Sequence, residues 1–215
     1  LLEMPEYIKL DKIKHFQISL DIFNGNYIDL IALLDIHNNP ENAMSFMGED
    51  NRELRRAFQI HIIRLLHNYI ASAISLVDHT RVHFNELYES ENIFPDYQNE
   101  INQRFTSHPL SIFIKDLRQY FQHFQMPSIT SNLYISRENP EMVISVKLEI
   151  ENLKKFSGWK TKSNEYMLGF EKSIDLKTLI EDYHTHIQDF HSWFSSRQTQ
   201  LHKNDQQKVD AHREK

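Results

Sequence analysis

The sequence lacks cysteine and has little glycine or proline. None of its 215 residues is cysteine, which excludes a disulfide scaffold, a thiolate nucleophile and a thiolate zinc site. Only 4 glycines and 6 prolines occur, well below average usage. Turn-rich sandwiches and barrels, collagen-like chains and flexible linkers are therefore disfavoured. These absences predict a mainly α-helical protein.

The sequence also lacks a long apolar run and an excess of positive charge. The most apolar stretch, residues 60–77, is interrupted by His61, Arg64 and Asn68, so we expect no membrane span. The first residues, LLEMPEYIKL, show no basic segment followed by an apolar one, so we expect no secretory signal and a cytoplasmic location. The formal net charge of −6 disfavours a protein that coats nucleic acid by bulk charge, although a local basic groove remains possible.

What the sequence does contain predicts one globular domain. Hydrophobic residues make up 40% of the chain, and 14 Phe and 9 Tyr supply large packing surfaces. A chain of this length can bury a hydrophobic core, and we assign residues 1–202 to a single helical domain. Residues 203–215 are too polar to pack and are expected to be a disordered tail.

Apolar residues recur at helical spacing over most of the chain. The first helical segment is expected to break at Gly25, which two Asn residues flank, and Asp175 is expected to cap the last helix. Between these, one apolar stripe predicts a long bundle helix. The predicted helices cover residues 6–37 in two parts, 51–88, 96–105, 110–124 and 175–202.

A change of periodicity predicts a β-hairpin within the helical domain. Residues 131–136 and 142–150 alternate β-formers with polar residues, and residues 137–140 read as the turn between them. We place this insertion at about residues 129–150. The predicted fold is an up-and-down helical bundle with an appended hairpin and a long C-terminal helix.

Thirteen histidines raise the question of a metal site. His79 and His83 lie one helical turn apart, but no Glu follows His79 as in the helical His-Glu-x-x-His motif, and no third ligand is adjacent. We therefore expect no metal and no cofactor. The sequence has no glycine-rich phosphate loop and no Gly-x-Ser-x-Gly motif, which disfavours Rossmann-type nucleotide-binding enzymes and common hydrolases.

The most informative segment is residues 110–127, LSIFIKDLRQYFQHFQMP. It places Arg118 five residues before His123 in an otherwise largely apolar helix. The spacing alone is common in a chain so rich in His. Only Arg118 lies in the sequence Asp-Leu-Arg-x-Tyr, at residues 116–120. Two other pairs share the spacing without that context, Arg56 with His61 and Arg197 with His202.

This segment resembles the motif of the HEPN superfamily, the "higher eukaryotes and prokaryotes nucleotide-binding" helical domains. That motif is an Arg followed after four to six residues by a His, commonly within Asp-Leu-Arg-Asn-Tyr. The preceding helix, with LLHNYIASAISLVDHTR at residues 65–81, also resembles bacterial HEPN-like proteins. The resemblance covers about residues 51–127 and leaves the hairpin and the last helix outside.

The resemblance implies a HEPN-like bundle that forms a homodimer with both motifs facing one cleft. It also implies metal-independent cleavage of RNA, in which the ribose 2′-OH attacks the adjacent phosphodiester, in stress responses or defence against phage. Arg118 and His123 would be catalytic, and Gln119, where the family usually has Asn, Asp or His, would be a polar supporting residue. A restraining antitoxin or another regulatory partner is a further implication.

The two residue types suit this chemistry. An imidazole with a pKa near neutrality can accept the 2′-OH proton or protonate the leaving oxygen. A permanently charged guanidinium can stabilise a phosphorane-like transition state by bidentate contact. Five helical positions separate Arg118 from His123 by about 140° of rotation, which suits a groove at a helix pair or a dimer seam.

A lysine-rich stretch supplies the candidate RNA-binding residues. Basic side chains interleaved with aromatic ones can hold a phosphate backbone and stack on bases. The alternative is a solvated lysine loop that a tryptophan anchors to the bundle. The candidates are Lys154, Lys155, Trp159, Lys160 and Lys162.

Two alternatives to an RNA endonuclease remain open. One is a non-catalytic HEPN-like module that binds RNA, a nucleotide or a protein partner through the same cleft. The other is a purely structural or interaction protein in which Arg118 pairs with Asp116 or with another surface carboxylate. Likewise, the cluster of Asp78, His79 and Arg81 either borders the cleft or is an exposed helix end.

Overall fold

The structure, a computed structural model, describes residues 2–39, 41–42, 51–89, 93–135 and 142–214. Within these ranges the chain forms eight α-helices, one π-helical turn and three β-strands, so the protein is mainly helical with a small antiparallel sheet. The elements are α1 (Pro5–Asn38), α2 (Arg52–Leu87), α3 (Tyr97–Ile101), the π-helical turn (Asn102–Thr106), α4 (Pro109–His123), β1 (Ile129–Ile135), β2 (Met142–Glu149), α5 (Ile150–Leu153), α6 (Thr161–Leu168), β3 (Ser173–Asp175), α7 (Leu176–Leu201) and α8 (Lys203–Arg213).

Helix α1 is continuous, and the break predicted at Gly25 is wrong. Gly25 is exposed, and a glycine inside a helix costs only about 1 kcal/mol relative to alanine. Phe23 and Leu30, on either side of it, are fully buried in the core. The Asn26 side chain donates a hydrogen bond to the Ile22 carbonyl oxygen at 3.0 Å, so it contacts the preceding turn of the same helix. Packing on both sides of Gly25 therefore outweighs the local propensity for a turn.

The long helix α2 forms the centre of the bundle, antiparallel to α1 and against α7. Tyr69 is fully buried, and its ring lies 5.1 Å from that of Phe23 in α1 and 6.5 Å from that of Tyr183 in α7. The predicted long apolar stripe is thus confirmed as a core-facing stripe. Its burial on several sides explains why one element runs for 36 residues.

Helix α2 is also long and apolar enough to cross a membrane by length and composition alone, the one such helix in the described part of the chain. Its most apolar 18-residue window has a mean hydropathy of 1.4, and 39% of that window is buried. The core helix of a soluble protein meets the same criterion. The absence of a membrane span therefore stays a prediction.

The predicted hairpin is confirmed, and a third strand extends it. Strands β1, β2 and β3 pair antiparallel in that order, and Leu148 lies opposite both Ile129 and Ile174. The side chains of Val146 and Leu148 are buried, so the sheet belongs to the core and is more than an appendage. The predicted turn at residues 137–140 lies outside the described residues.

The C-terminal segment differs from the sequence prediction of disorder. Asp175 caps α7 as predicted, because its side chain accepts a hydrogen bond from the Thr178 backbone N–H. After α7 the chain continues as α8, which buries one apolar side chain, Val209. Lys208 of α8 also pairs with Glu6 of α1 at 2.8 Å. These contacts position α8 next to the N-terminal turns of α1.

Candidate functional site

Helix α4 carries the Arg-x4-His motif and packs against the rest of the chain through one face. It begins at Pro109, which needs no N–H partner at a helix start, and it buries Phe113, Leu117 and Tyr120. On the same side, the buried carboxylate of Asp116 accepts hydrogen bonds from the Lys160 backbone N–H at 2.9 Å and the Ser163 hydroxyl at 2.7 Å. Asp116 therefore holds the first turn of α6 and is not the partner of Arg118.

Arg118 is half-buried and has no anionic partner in the part of the chain that the structure describes. Its Nε atom is shielded from solvent without a hydrogen-bond acceptor, and no carboxylate in the described residues forms an ion pair with it. A buried polar atom without a partner costs free energy, about 1–3 kcal/mol in measured cases. Native proteins contain few such atoms, so Arg118 is a candidate for binding an anion from outside the chain.

His123 and Gln119 are exposed, and His123 is the last residue of α4. His123 follows Asp116 by two helical turns, so the two residues share a face of the helix. Arg118 is rotated from His123 by about 140°. Within one chain, therefore, α4 does not place Arg118 and His123 in one groove.

The structure distinguishes the three Arg-x4-His pairs by their surroundings. Arg197 already has a partner, because it pairs with Asp96 at 2.6 Å and lies over the ring of Phe94. Its companion His202 is buried. Arg56 and His61, in α2, are both exposed. Of the three pairs, only that of Arg118 and His123 combines a shielded, unpartnered guanidinium with an exposed imidazole.

Trp159 is an anchor for α4 and not a surface platform. Its side chain is 8% exposed, its indole N–H donates to the Leu153 carbonyl oxygen at 2.8 Å, and its ring stacks on Phe113 at 5.4 Å. The ring of Tyr120 lies 5.9 Å away. This position agrees with the anchored-loop interpretation and leaves little of the indole for stacking on a base.

The four candidate lysines surround this anchor, and three have contacts within the chain. Lys160 lies 4.0 Å from Asp116, Lys162 donates to the Ser107 carbonyl oxygen at 2.8 Å, and Lys155 donates to Asn152 at 2.7 Å. Lys154 is exposed. All four stay close to the surface, so their charges add to the potential next to α4.

The polar cluster near the end of α2 lies far from α4. His79 contacts the Ser19 hydroxyl of α1 at 2.8 Å, and Arg81 pairs with Asp78 at 3.3 Å. One contact between α2 and α4 is at His67, whose ring lies 6.1 Å from that of Phe121. Twelve helical residues separate His67 from His79, or about 18 Å. The exposed-helix interpretation of this cluster therefore fits the structure better.

A buried polar network that the sequence analysis missed joins α2 to the end of α7. The Gln198 amide nitrogen lies 2.7 Å from His83 Nε2 and 3.0 Å from the Tyr88 hydroxyl. Tyr88 in turn lies 3.0 Å from His202 Nε2, and His202 Nδ1 lies 2.8 Å from Asp205. Of these contacts, only the one between His202 and Asp205 joins residues that are close together in the sequence. The other partners are more than 100 positions apart.

One pattern of donors satisfies the whole network. Burial lowers the pKa of His83 to about 4 and raises that of Tyr88 to about 12, so both are neutral near pH 7. His202 then donates from Nδ1 to Asp205 and accepts at Nε2 from the Tyr88 hydroxyl. Gln198 uses both amide hydrogens, one toward His83 and one toward Tyr88. The hydrogens that Gln198, Tyr88 and His202 direct into the network thus each have an acceptor.

Two cavities adjoin this network. One, of about 840 Å³, lies between α1, α7 and α8 and includes Gln198 and His202 in its walls. The other, of about 510 Å³, lies between α1 and α2 and includes His79 and His83. Phe16 lines both cavities. Within the described residues, no group of three His, Cys, Asp or Glu side chains is arranged to hold a metal ion.

Acid is expected to destabilise the fold through its buried histidines. Burial lowers the pKa of His83, His184 and His191 to about 4, whereas an unfolded chain titrates near 6.5. The unfolded state therefore binds more protons between these values, and stability is lost as the pH falls from about 6.5 toward 4.

The His191→Phe variant tests this, because His191 Nδ1 has no hydrogen-bond partner and the ring lies among Phe16 and Phe190. Urea unfolding of this variant should show a pH dependence of stability smaller by about one proton than that of the wild type. An unchanged pH dependence would show that His191 is not buried in its neutral form.

Comparison with known proteins identifies no family for this chain. No family model matches the chain, and no curated protein and no solved structure matches it.

Proposed function

We propose that this chain is a HEPN-type ribonuclease that acts as a homodimer, with Arg118, His123 and Gln119 of α4 at the reaction centre. The observation that carries the proposal is the shielded Arg118 Nε, which has no hydrogen-bond partner within the described residues. A structural arginine with a shielded Nε would be expected to have an acceptor for it within the chain. Arg118 instead keeps its charge available for an anion such as a phosphodiester.

The proposed reaction needs no metal. His123 accepts the proton of the ribose 2′-OH as that oxygen bonds to the adjacent phosphorus, and Arg118 stabilises the charge that develops on the phosphorane oxygens. The bond from phosphorus to the 5′ oxygen then breaks, and that oxygen takes up a proton from an acid. The products are a 2′,3′-cyclic phosphate and a 5′-hydroxyl end. Gln119, exposed beside Arg118, supports the substrate by hydrogen bonding.

Two protomers are needed because one α4 helix directs Arg118 and His123 about 140° apart. In the proposed homodimer the two α4 helices flank one cleft, and Arg118 of one protomer works with His123 of its partner. Lys154, Lys155 and Lys160 supply local positive charge for the RNA backbone in a chain whose net charge is −6. We place the reaction in the cytoplasm, where an antitoxin or regulatory partner that covers α4 would restrain it.

Total RNA incubated with purified protein and excess chelator tests the proposal. We expect wild-type protein to cleave the RNA, and His123→Ala to lower the rate at least about 100-fold, since general acid–base catalysis contributes that much. His61→Ala is the matched control, because His61 is also an exposed helical His five residues after an Arg. It should retain wild-type activity. Cleavage that chelator stops, or fragments without cyclic-phosphate ends, would contradict the proposal.

A non-catalytic RNA-binding module is the second candidate. It is favoured by the separation of Arg118 from His123 within one chain and by Gln119, which stands where the family usually has Asn, Asp or His. In that case wild-type protein would leave the RNA intact, and RNA binding would depend on Arg118 but not on His123.

A further inference from the structure

The cavity between α1, α7 and α8 has the size and wall chemistry of a small-molecule site. Its volume, about 840 Å³, lies within the range of roughly 300–1,000 Å³ that is typical of such sites. Most of the exposed wall surface belongs to carbon atoms, including the stems of polar side chains, and Val209 is the buried residue that α8 contributes. The remaining apolar wall residues are Tyr7, Leu10, Ile13 and Phe16.

The buried polar end of this cavity offers no donor to a ligand. Gln198 and His202 reach the cavity, but Gln198 uses both amide hydrogens within the network and both ring nitrogens of His202 are engaged. What remains is the amide oxygen of Gln198, an acceptor. An anionic group at this end would therefore face no hydrogen-bond donor and would be disfavoured.

The mouth of the cavity is positive. Lys14, Lys203 and Arg213 line it and are exposed, and Asp11 is the one acidic residue in its wall. Within the described residues, no carboxylate pairs with Lys14 or Lys203, whereas Arg213 lies 3.8 Å from Asp210. The cavity mouth thus carries two unpaired cations in a chain whose net charge is −6.

The cavity extends along α1. Its wall along α1 runs from Tyr7 to Gln17, a span of about 15 Å at 1.5 Å per residue. We propose that this cavity binds an amphipathic monocarboxylate with a linear alkyl chain, whose carboxylate lies at Lys14 and Lys203 and whose chain lies along α1. This site is independent of α4 and does not rest on the RNA-cleavage proposal.

Isothermal titration calorimetry of the full chain with dodecanoate tests the proposal. The dodecanoate concentration is kept below the critical micelle concentration. We expect saturable binding of one dodecanoate per chain. Dodecan-1-ol, which has the same chain without the charge, should bind at least about tenfold more weakly, and a dodecyltrimethylammonium ion should bind more weakly still. Equal binding of the carboxylate and the ammonium ion would overturn the proposal, because detergent-like association would explain both.

Two variants locate the site. The double variant Lys14→Glu with Lys203→Glu should weaken dodecanoate binding at least about tenfold, and Ile13→Trp, which fills the cavity, should do the same without a change of charge. The matched control is Lys154→Glu with Lys172→Glu, since both lysines are exposed and the change of net charge is identical. The affinity of this control variant for dodecanoate should stay within about twofold of that of the wild type.

Circular dichroism establishes that each variant is folded before titration. If both the charge-reversal and the cavity-filling variants are folded and bind dodecanoate like the wild type, the proposed site is wrong. If wild-type protein binds no dodecanoate but binds an amphipathic helical peptide at these same residues, the cavity is a protein-docking site, and the small-molecule proposal is overturned.

Discussion

Replacement of Trp159 by alanine is expected to lower the free energy of unfolding by about 3–5 kcal/mol. The indole is 8% exposed, stacks on Phe113 and donates a hydrogen bond to the Leu153 carbonyl oxygen. Its removal leaves a cavity behind α4 and an unpaired carbonyl oxygen. Urea unfolding at neutral pH measures this change.

The Trp159→Phe variant separates packing from RNA contact. It keeps most of the buried ring but loses the N–H donor, so we expect a loss of only about 1–2 kcal/mol. At temperatures where both variants are folded, their RNA affinity should match that of the wild type. A Trp159→Ala variant that is almost as stable as the wild type but binds RNA much more weakly would instead identify Trp159 as a stacking platform.

Replacement of Arg118 by methionine is expected to lower the rate of RNA cleavage at least about 100-fold, because it removes the charge that stabilises the transition state. The same change should raise the free energy of unfolding by about 1 kcal/mol, since it removes a shielded nitrogen that has no partner and keeps an apolar stem of similar length. Opposite effects on activity and stability are typical of a functional residue.

Arg56→Met is the control for this variant. Arg56 is exposed and has the same position relative to a following His, at residue 61. Its replacement should change stability by no more than about 0.5 kcal/mol and leave cleavage intact. If Arg118→Met instead lowers the free energy of unfolding by about 2 kcal/mol or more, the guanidinium has a structural role. A loss of that size, about 2 kcal/mol, is typical of breaking a buried hydrogen bond.

The elements that could be predicted from the sequence are those with a strong local pattern. The stripe of α2, the start of α4 near residue 110 and the Asp175 cap of α7 each depend on residues within a few positions of one another. Where the decisive contacts are distant in sequence, local patterns gave the wrong answer or none. Gly25 stays helical because of core packing on both sides, and α8 depends on one buried Val209 and a pair between Lys208 and the start of the chain.

The same distinction applies to the candidate site. Arg118 and His123 were found from their immediate sequence context, which is a local signal. That Asp116 holds the start of α6 could not be predicted, because the groups that donate to its carboxylate lie 44 and 47 positions away. The polar network around Gln198 was missed for the same reason, since its hydrogen bonds to His83 and Tyr88 span 115 and 110 positions.

The central claim is that Arg118 of one protomer acts with His123 of its partner. Mixing inactive Arg118→Ala and His123→Ala proteins and allowing subunits to exchange tests it most directly. Half of the dimers would then be mixed, and each would contain one complete site of two, so we predict recovery of about a quarter of wild-type activity. A mixture that stays inactive, although mass spectrometry shows exchanged dimers, would contradict a site shared between protomers.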